Sequence, residues 1–310
     1  MLKYKKFILN IRLLDATILP KYKGITLRGG FGNVFKSIAC VQKAVDCSDC
    51  ILNESCIYRR IFDSPKPKDS MKMKKYPYIP HPFVIFSENF ETYFSAGDIF
   101  DFGLVLFGES IEYLPFFIYT FIKLGEIGFG KNRAKFEVIS VRDGDKELFD
   151  QRKKTISSFL KEPSFLEIDK IISKDEKSFG KLKISFLSPV SLRFEGKTVY
   201  NPEFHILARN ILRRISLLEF FYGEPSFDAG FIRSCISEAL IVKTVESNIY
   251  PEIIKRFSGR QKRLISHIGL VGDVSFVEVP NKLIRLIDNV KEISIGRNTS
   301  FGFGRYITEF

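Results

Sequence analysis

Cys40, Cys47, Cys50 and Cys56 follow one another with the spacing C-x6-C-x2-C-x5-C. Thiolates this close in sequence can surround one tetrahedral Zn²⁺ or hold an iron–sulfur cluster. The Asp, Ser and Asn residues between them supply little core to order the loop in any other way. Zinc is the first expectation and an iron–sulfur cluster the alternative. Cys235 stands alone at an apolar helical position and reads as core. His81, His205 and His267 are the acid–base candidates. None lies in an HExxH or GxSxG motif, and neither a Walker loop nor a GxGxxG loop occurs. Histidine with Tyr, Lys or Arg suffices for one metal-free reaction, cleavage of RNA. A base takes the 2′-hydroxyl proton, an acid protonates the leaving 5′-oxygen and a cation steadies the phosphorane. His205 opens a helix, where the positive end of the dipole suits a neutral base. His267 lies in a hairpin just before Gly269. His81, between two prolines and ahead of a strand, reads as structural before catalytic.

The closing sequence IGRNTSFGFGRYITEF suits a partner that joins phosphates to flat bases, RNA or single-stranded DNA. Gly296, Gly302 and Gly304 permit close backbone approach. Arg297 and Arg305 flank the loop, and Phe301, Phe303 and Tyr306 can stack on bases or pack inward. Further cations are Lys131 and Arg133, the helical trio Arg209, Arg213 and Arg214, and the cluster SGRQKR from Ser258 to Arg263. Guanidiniums at i, i+4 and i+5 can follow a phosphate backbone. The formal charge of +12, from 48 Lys and Arg against 36 Asp and Glu, points the same way.

A chain of 310 residues exceeds one core, so two domains of about 150 residues each are expected. With 45% hydrophobic and 27% charged residues it is globular rather than disordered. Met1 to Phe7 has no signal-peptide character, and the apolar run from Tyr113 to Leu124 is too short to span a bilayer. A cytoplasmic protein with reduced cysteines and no membrane contact is therefore expected. Strands are predicted over Tyr4–Leu14, Phe83–Phe86, Asp98–Phe107 and Ala134–Val141. Helices follow the first, capped by Thr26, and the third, over Ser110–Leu124. That order is βαββαβ. The plan restarts with a strand over Lys183–Arg193, a helix over Pro202–Tyr222 and a hairpin of Lys262–Ile268 with Gly272–Val279. A helix over Asn281–Val290, the glycine loop and a last strand complete it. The expected fold class is α+β, with tandem ferredoxin-like (RRM-like) domains, a cysteine-rich insertion and a C-terminal glycine-rich loop. The first domain is residues 1–145, with the insertion at 40–75, and the linker is 146–180. The second domain is 181–310, with a helical insertion at 223–258 and the glycine-rich loop at 296–304.

Two such halves ending in GRNTSFGFGRY resemble the RAMP superfamily of CRISPR-associated proteins, closest to the endoribonucleases that process precursor CRISPR RNA. The segments ITLRGGFGNVFK, SCIYRRIF, GFGKNRAKFEV, NPEFHILARNILRRISLLEFFYG and SGRQKRLISHIGLVGDVSF carry the likeness over nearly the whole chain. The resemblance implies binding of CRISPR repeat RNA and metal-independent cleavage, with no catalytic cofactor. Products would bear a 2′,3′-cyclic phosphate and a 5′-hydroxyl, and guides would pass to effector-complex subunits. Gly296, Gly302 and Gly304 then fall on the RNA-contacting loop, with Arg297 and Arg305 beside phosphates. Many relatives carry the base histidine in or just after the first helix; here Thr26 to Cys56 contains none. Lys36, Tyr58 and Arg59 are the nearby candidates. A guide-RNA-binding subunit that does not cut is the alternative.

Overall fold

The computed structural model describes residues 1–310 apart from 154, 158–161, 167, 169–177 and 260–261. The chain divides into two compact units, one of residues 4–163 and one of residues 164–310 together with 1–3.

The first unit runs β1 (Leu2–Leu13), β2 (Thr17–Ile18), α1 (Gly24–Ala39), α2 (Ile57–Ile61), β3 (Phe83–Phe86), β4 (Tyr93–Phe94) and β5 (Ile99–Phe107). Then come α3 (Leu114–Ile127), β6 (Phe136–Asp143), β7 (Lys146–Asp150) and β8 (Thr155–Ile156). Its main sheet has the order β3-β5-β1-β6-β7-β8, with antiparallel neighbours. Strand alternation decides which face is apolar: Phe7, Leu9 and Ile11 of β1 pair directly with Leu104, Phe102 and Phe100 of β5. Helical periodicity supplies the covering layer, Leu27, Phe31, Val34 and Phe35 from α1 and Leu114, Phe117, Ile118 and Phe121 from α3. The Phe31 ring stacks on Phe117 at 4.8 Å and on Phe35 at 5.2 Å between centroids. All are buried in one cluster.

Several boundaries differ from the sequence reading. Thr26 is not the cap of α1; the helix starts two residues earlier, after Lys23, with no side-chain cap. Lys23 is buried and its ammonium donates to the carbonyls of Asn89 and Glu91 at 2.7 and 2.5 Å. The span expected as a linker opens with β7, which pairs with β6 and buries Leu148 and Phe149. Much of residues 158–177 lies outside the described residues.

The second unit holds β9 (Ser164–Leu166), β10 (Phe179–Val190), β11 (Arg193–Phe194), β12 (Lys197–Thr198), α4 (Phe204–Tyr222) and α5 (Ala229–Ala239). It closes with β13 (Lys243–Ser258), β14 (Arg263–Pro280), α6 (Asn281–Asn289) and β15 (Tyr306–Glu309). The sheet order is β13-β14-β10-β15. α4 and α6 bury Leu207, Ile211, Ile215, Leu218, Leu283 and Ile287, and Phe204 meets Phe276 edge to face at 5.0 Å. The expected helical insertion over 223–258 is corrected: the helix covers only Ala229–Ala239, and Lys243–Ser258 is β13. The hairpin is likewise longer than expected: its last described pair is Ser258 with Arg263, and residues 269–271, expected as its turn, lie within β14. Pro251 obscured this strand, since proline donates no ladder bond. It is tolerated because β13 is the sheet edge.

Removing the centre of the first unit's aromatic stack should be costly. Phe31→Ala is expected to lower stability by about 3–5 kcal/mol, read as a lower denaturant midpoint at unchanged slope. A midpoint within error of the parent would contradict the packing described.

Candidate nucleic-acid interface

The glycine-rich loop is shaped by backbone bonds. Ile295 donates its N–H to the Gly304 carbonyl at 2.9 Å, Gly304 donates to Pro189 at 3.0 Å and Arg297 to Ser191 at 3.1 Å. Gly304 has φ +76°, and a Cβ there would lie 1.8 Å from the Ile295 oxygen. At Gly296, φ +78°, the Cβ would meet the Ser191 oxygen at 2.6 Å. Only glycine fits this path. The amide of Gly302 donates to Thr299, so neither it nor Gly304 presents an outward N–H. Phe301, Phe303 and Tyr306 take the inward alternative; all three are buried. Tyr306 donates its hydroxyl to the Ile287 carbonyl at 2.7 Å, and burial raises its pKa far above the phenol range.

What the loop buries its rings against is His267. Beyond the Val190–Leu270 pair β10 no longer pairs with β14, and β13 and β14 continue as a two-stranded ribbon. Ile254 stands opposite His267, and Arg256, opposite Ile265, is the diagonal neighbour on that same face. The Arg256 Nε–H donates to His267 Nε2 at 2.9 Å, while the Asn298 amide lies 3.2 Å from Nδ1. The imidazole packs beside Phe301 and Phe303 at 6.3 and 6.1 Å. The Arg256 guanidinium lies over the Phe301 ring at 4.6 Å. Burial, then the charges of Arg256 and Arg297, hold the imidazole below its ordinary pKa. A neutral ring carries one N–H. With the Nε2 lone pair taken by Arg256, Nδ1 is left to the Asn298 side-chain amide. Arg297 is exposed beside this cluster. The arrangement therefore joins a neutral base to two guanidiniums at the loop.

The remaining candidates fall elsewhere. His205 is buried in the first turn of α4, its Nε2 3.2 Å from Glu203, its Nδ1 accepting from Arg209 Nε at 3.3 Å and its edge against Phe194. Arg213 is exposed. Arg214 points inward: Nε and Nη2 donate to the Ile293 carbonyl at 3.4 Å, and burial pushes its pKa down to about 10. Arg305 is also buried, paired with Glu292 at 2.9 Å. Arg214 and Arg305, expected beside phosphates, thus hold the loop's approach from behind. Arg260 of the basic cluster lies outside the described residues. In the first unit, Lys131 and Arg133 are exposed on the turn between α3 and β6. His81 reaches α1 from the start of β3, with Nε2 3.0 Å from Arg28 Nη2 and 2.9 Å from the Phe62 carbonyl. Lys36 lies over the Tyr58 ring at 5.6 Å, and Arg59 donates to the Cys47 carbonyl. Among the described residues no three His, Cys, Asp or Glu side chains converge as metal ligands. Cys40, Cys47, Cys50 and Cys56 are partly exposed free thiols after α1, and Cys50 Sγ lies 3.8 Å from Gln42 Oε1. No helix among the described residues is long and apolar enough to cross a membrane.

The chain is thus a mixed α/β protein of two sheet-bearing units with a glycine-locked C-terminal loop. Residues 2–160, about half the chain, match a family model described as an N-terminal domain, and residues 184–306 match that of the CRISPR-associated endoribonuclease Cas6. The C-terminal part of the chain, about two fifths of its length, is thus similar to the CRISPR-associated endoribonuclease Cas6. It is 27% identical over 292 residues to an uncharacterised protein of Archaeoglobus fulgidus, covering 92% of this chain and 91% of the relative. It shares its fold with Thermus thermophilus Cas6 at a TM-score of 0.56 and 10% identity, covering 100% of this chain and 99% of that one. A Cas6-RT-Cas1–Cas2 complex gives 0.58 at 9% identity with all of this chain covered; the chain spans only 46% of that longer chain.

Two measurements check this geometry. Arg305→Ala should cost about 2 kcal/mol by removing a buried guanidinium and its ion pair with Glu292, whereas Arg297→Ala should stay within about 0.5 kcal/mol; equal effects would contradict the burial difference. His267 also predicts a pH slope. Its folded pKa lies below the unfolded value, so the unfolded chain binds the extra proton and stability falls as pH drops through about 6.5. His267→Asn should flatten that part of the stability–pH curve.

Proposed function

We propose that this protein is a metal-independent endoribonuclease that cuts precursor CRISPR RNA within its repeats. The family match supports RNA processing, and the observation that carries catalysis is His267, bonded by Arg256 and biased towards its neutral form by burial and the charges of Arg256 and Arg297. In this reading His267 takes the proton of the 2′-hydroxyl. The 2′-oxygen forms a bond to phosphorus as the bond from phosphorus to the 5′-oxygen breaks. The 5′-oxygen takes a proton from a donor on its own side of the phosphate, giving a 2′,3′-cyclic phosphate and a 5′-hydroxyl. Arg256 and Arg297 offset the extra charge of the phosphorane.

The strand orders β3-β5-β1-β6 and β13-β14-β10-β15, each reached by a βαββαβ path, support reading the two units as tandem ferredoxin-like domains. Repeat RNA is the proposed partner, with subunits of an effector complex receiving the guide. Lys131, Arg133, Arg209 and Arg213 are the further phosphate contacts proposed for it.

The test is incubation of the protein with its host's repeat RNA in EDTA, beside the same RNA with a 2′-deoxy substitution at the cut site. Cleavage of the unmodified RNA alone is expected, and His267→Ala should lower the rate by at least about 100-fold. Tight binding without cleavage would favour the guide-binding subunit and overturn the nuclease.

A further inference from the structure

Arg256 is an unusual neighbour for a catalytic base. Its Nε–H occupies the Nε2 lone pair that would accept a proton, so the base as found is blocked. The guanidinium is half-buried over Phe301, and burial lowers its pKa. Among the described residues it has no carboxylate partner, and none is bonded to His267 or to the exposed Arg297 side chain. The charges that act on the imidazole are those of Arg256 from β13 and Arg297 from the loop; Glu252, two residues before Ile254 on the same face of β13, bonds neither His267 nor Arg256, and Asn298, Phe301 and Phe303 pack against the ring. A partly desolvated cation whose polar partner is a neutral ring nitrogen lacks its natural counter-ion. Guanidinium bonds an anionic oxygen far more strongly than an imidazole nitrogen.

Resting on the nuclease reading above, the geometry points to Arg256 as a substrate-operated latch on His267. An RNA phosphate arriving at the loop draws the guanidinium away and frees Nε2. Two consequences follow from electrostatics. In the absence of RNA a protonated imidazole would face two cations and no bonded carboxylate, so the neutral, masked ring is favoured. With the phosphate bound, its charge offsets the guanidiniums, and the ring can both expose its lone pair and hold the proton it takes. Base strength and substrate occupancy are thereby coupled. Arg256 acts through His267 as a positioning residue and reaches the phosphate only after release.

The test is the titration of the His267 imidazole by NMR in the full-length protein, assigned by its loss in His267→Asn. Four samples are compared: wild type and Arg256→Met, each alone and saturated with the 2′-deoxy repeat RNA, which binds but cannot be cut. Wild type should titrate below the ordinary imidazole value near 6.5 when free and move upward on binding RNA. Free Arg256→Met should already be displaced upward, with a much smaller further change. Arg256→Lys serves if the Met variant does not fold; it keeps the charge without the fixed fork and should fall between the two. A titration unchanged by both substitutions would overturn the latch, as would RNA that leaves the wild-type titration in place. The two readings separate cleanly. RNA-dependent titration without cleavage keeps the latch and removes the nuclease. His267-dependent cleavage with a titration indifferent to Arg256 does the reverse.

Discussion

The closure of the loop from Ile295 to Gly304 is the constraint on which the candidate site depends. One backbone bond shuts it, and the Ile295 carbonyl occupies the space where any side chain at residue 304 would begin. Because the loop has a single path, Asn298, Phe301 and Phe303 arrive at fixed positions against β14. His267 is then given an apolar wall, a partner for Nδ1 and a burial that keeps it neutral. Behind the loop, Arg214 on the Ile293 carbonyl and Arg305 on Glu292 brace the same backbone. Charges that look like an RNA surface in the sequence are in part the scaffold of that surface.

Much of the fold was legible from periodicity. The alternation of Phe100, Phe102, Leu104 and Leu106 and the helical spacing of Leu207, Ile211, Ile215 and Leu218 both correspond to buried faces. The hairpin was not, because two local signals opposed the tertiary arrangement. Pro251 argues against a strand until the strand is known to be an edge, and Gly269 and Gly272 read as a turn. In fact Gly269 lies where Pro189 crosses, a Cβ there falling 2.6 Å from Pro189 Cβ. Misplacing the turn separated Arg256 from His267, which become diagonal neighbours only in the true register.

The site was therefore half visible. His267 and Arg297 stand out by residue type and by place, whereas Arg256 and Asn298 gain meaning only from pairing. Arg214 could have been recognised as internal: it follows Ile211 by three residues and precedes Leu218 by four, on the apolar stripe. A guanidinium in such a stripe needs a backbone acceptor, and Ile293 supplies it. Arg305 carries no comparable signal, since its inward direction comes from the turn at Gly304.

The account's central claim is that the His267 imidazole itself moves the proton. Single-turnover cleavage of repeat RNA by His267→Gly, with and without added free imidazole, tests it most directly. The account predicts a rate lowered by at least about 100-fold and restored in part by imidazole, in proportion to its neutral fraction. Cleavage by the variant at the parent rate, or a loss that imidazole leaves untouched in a folded protein, would contradict it.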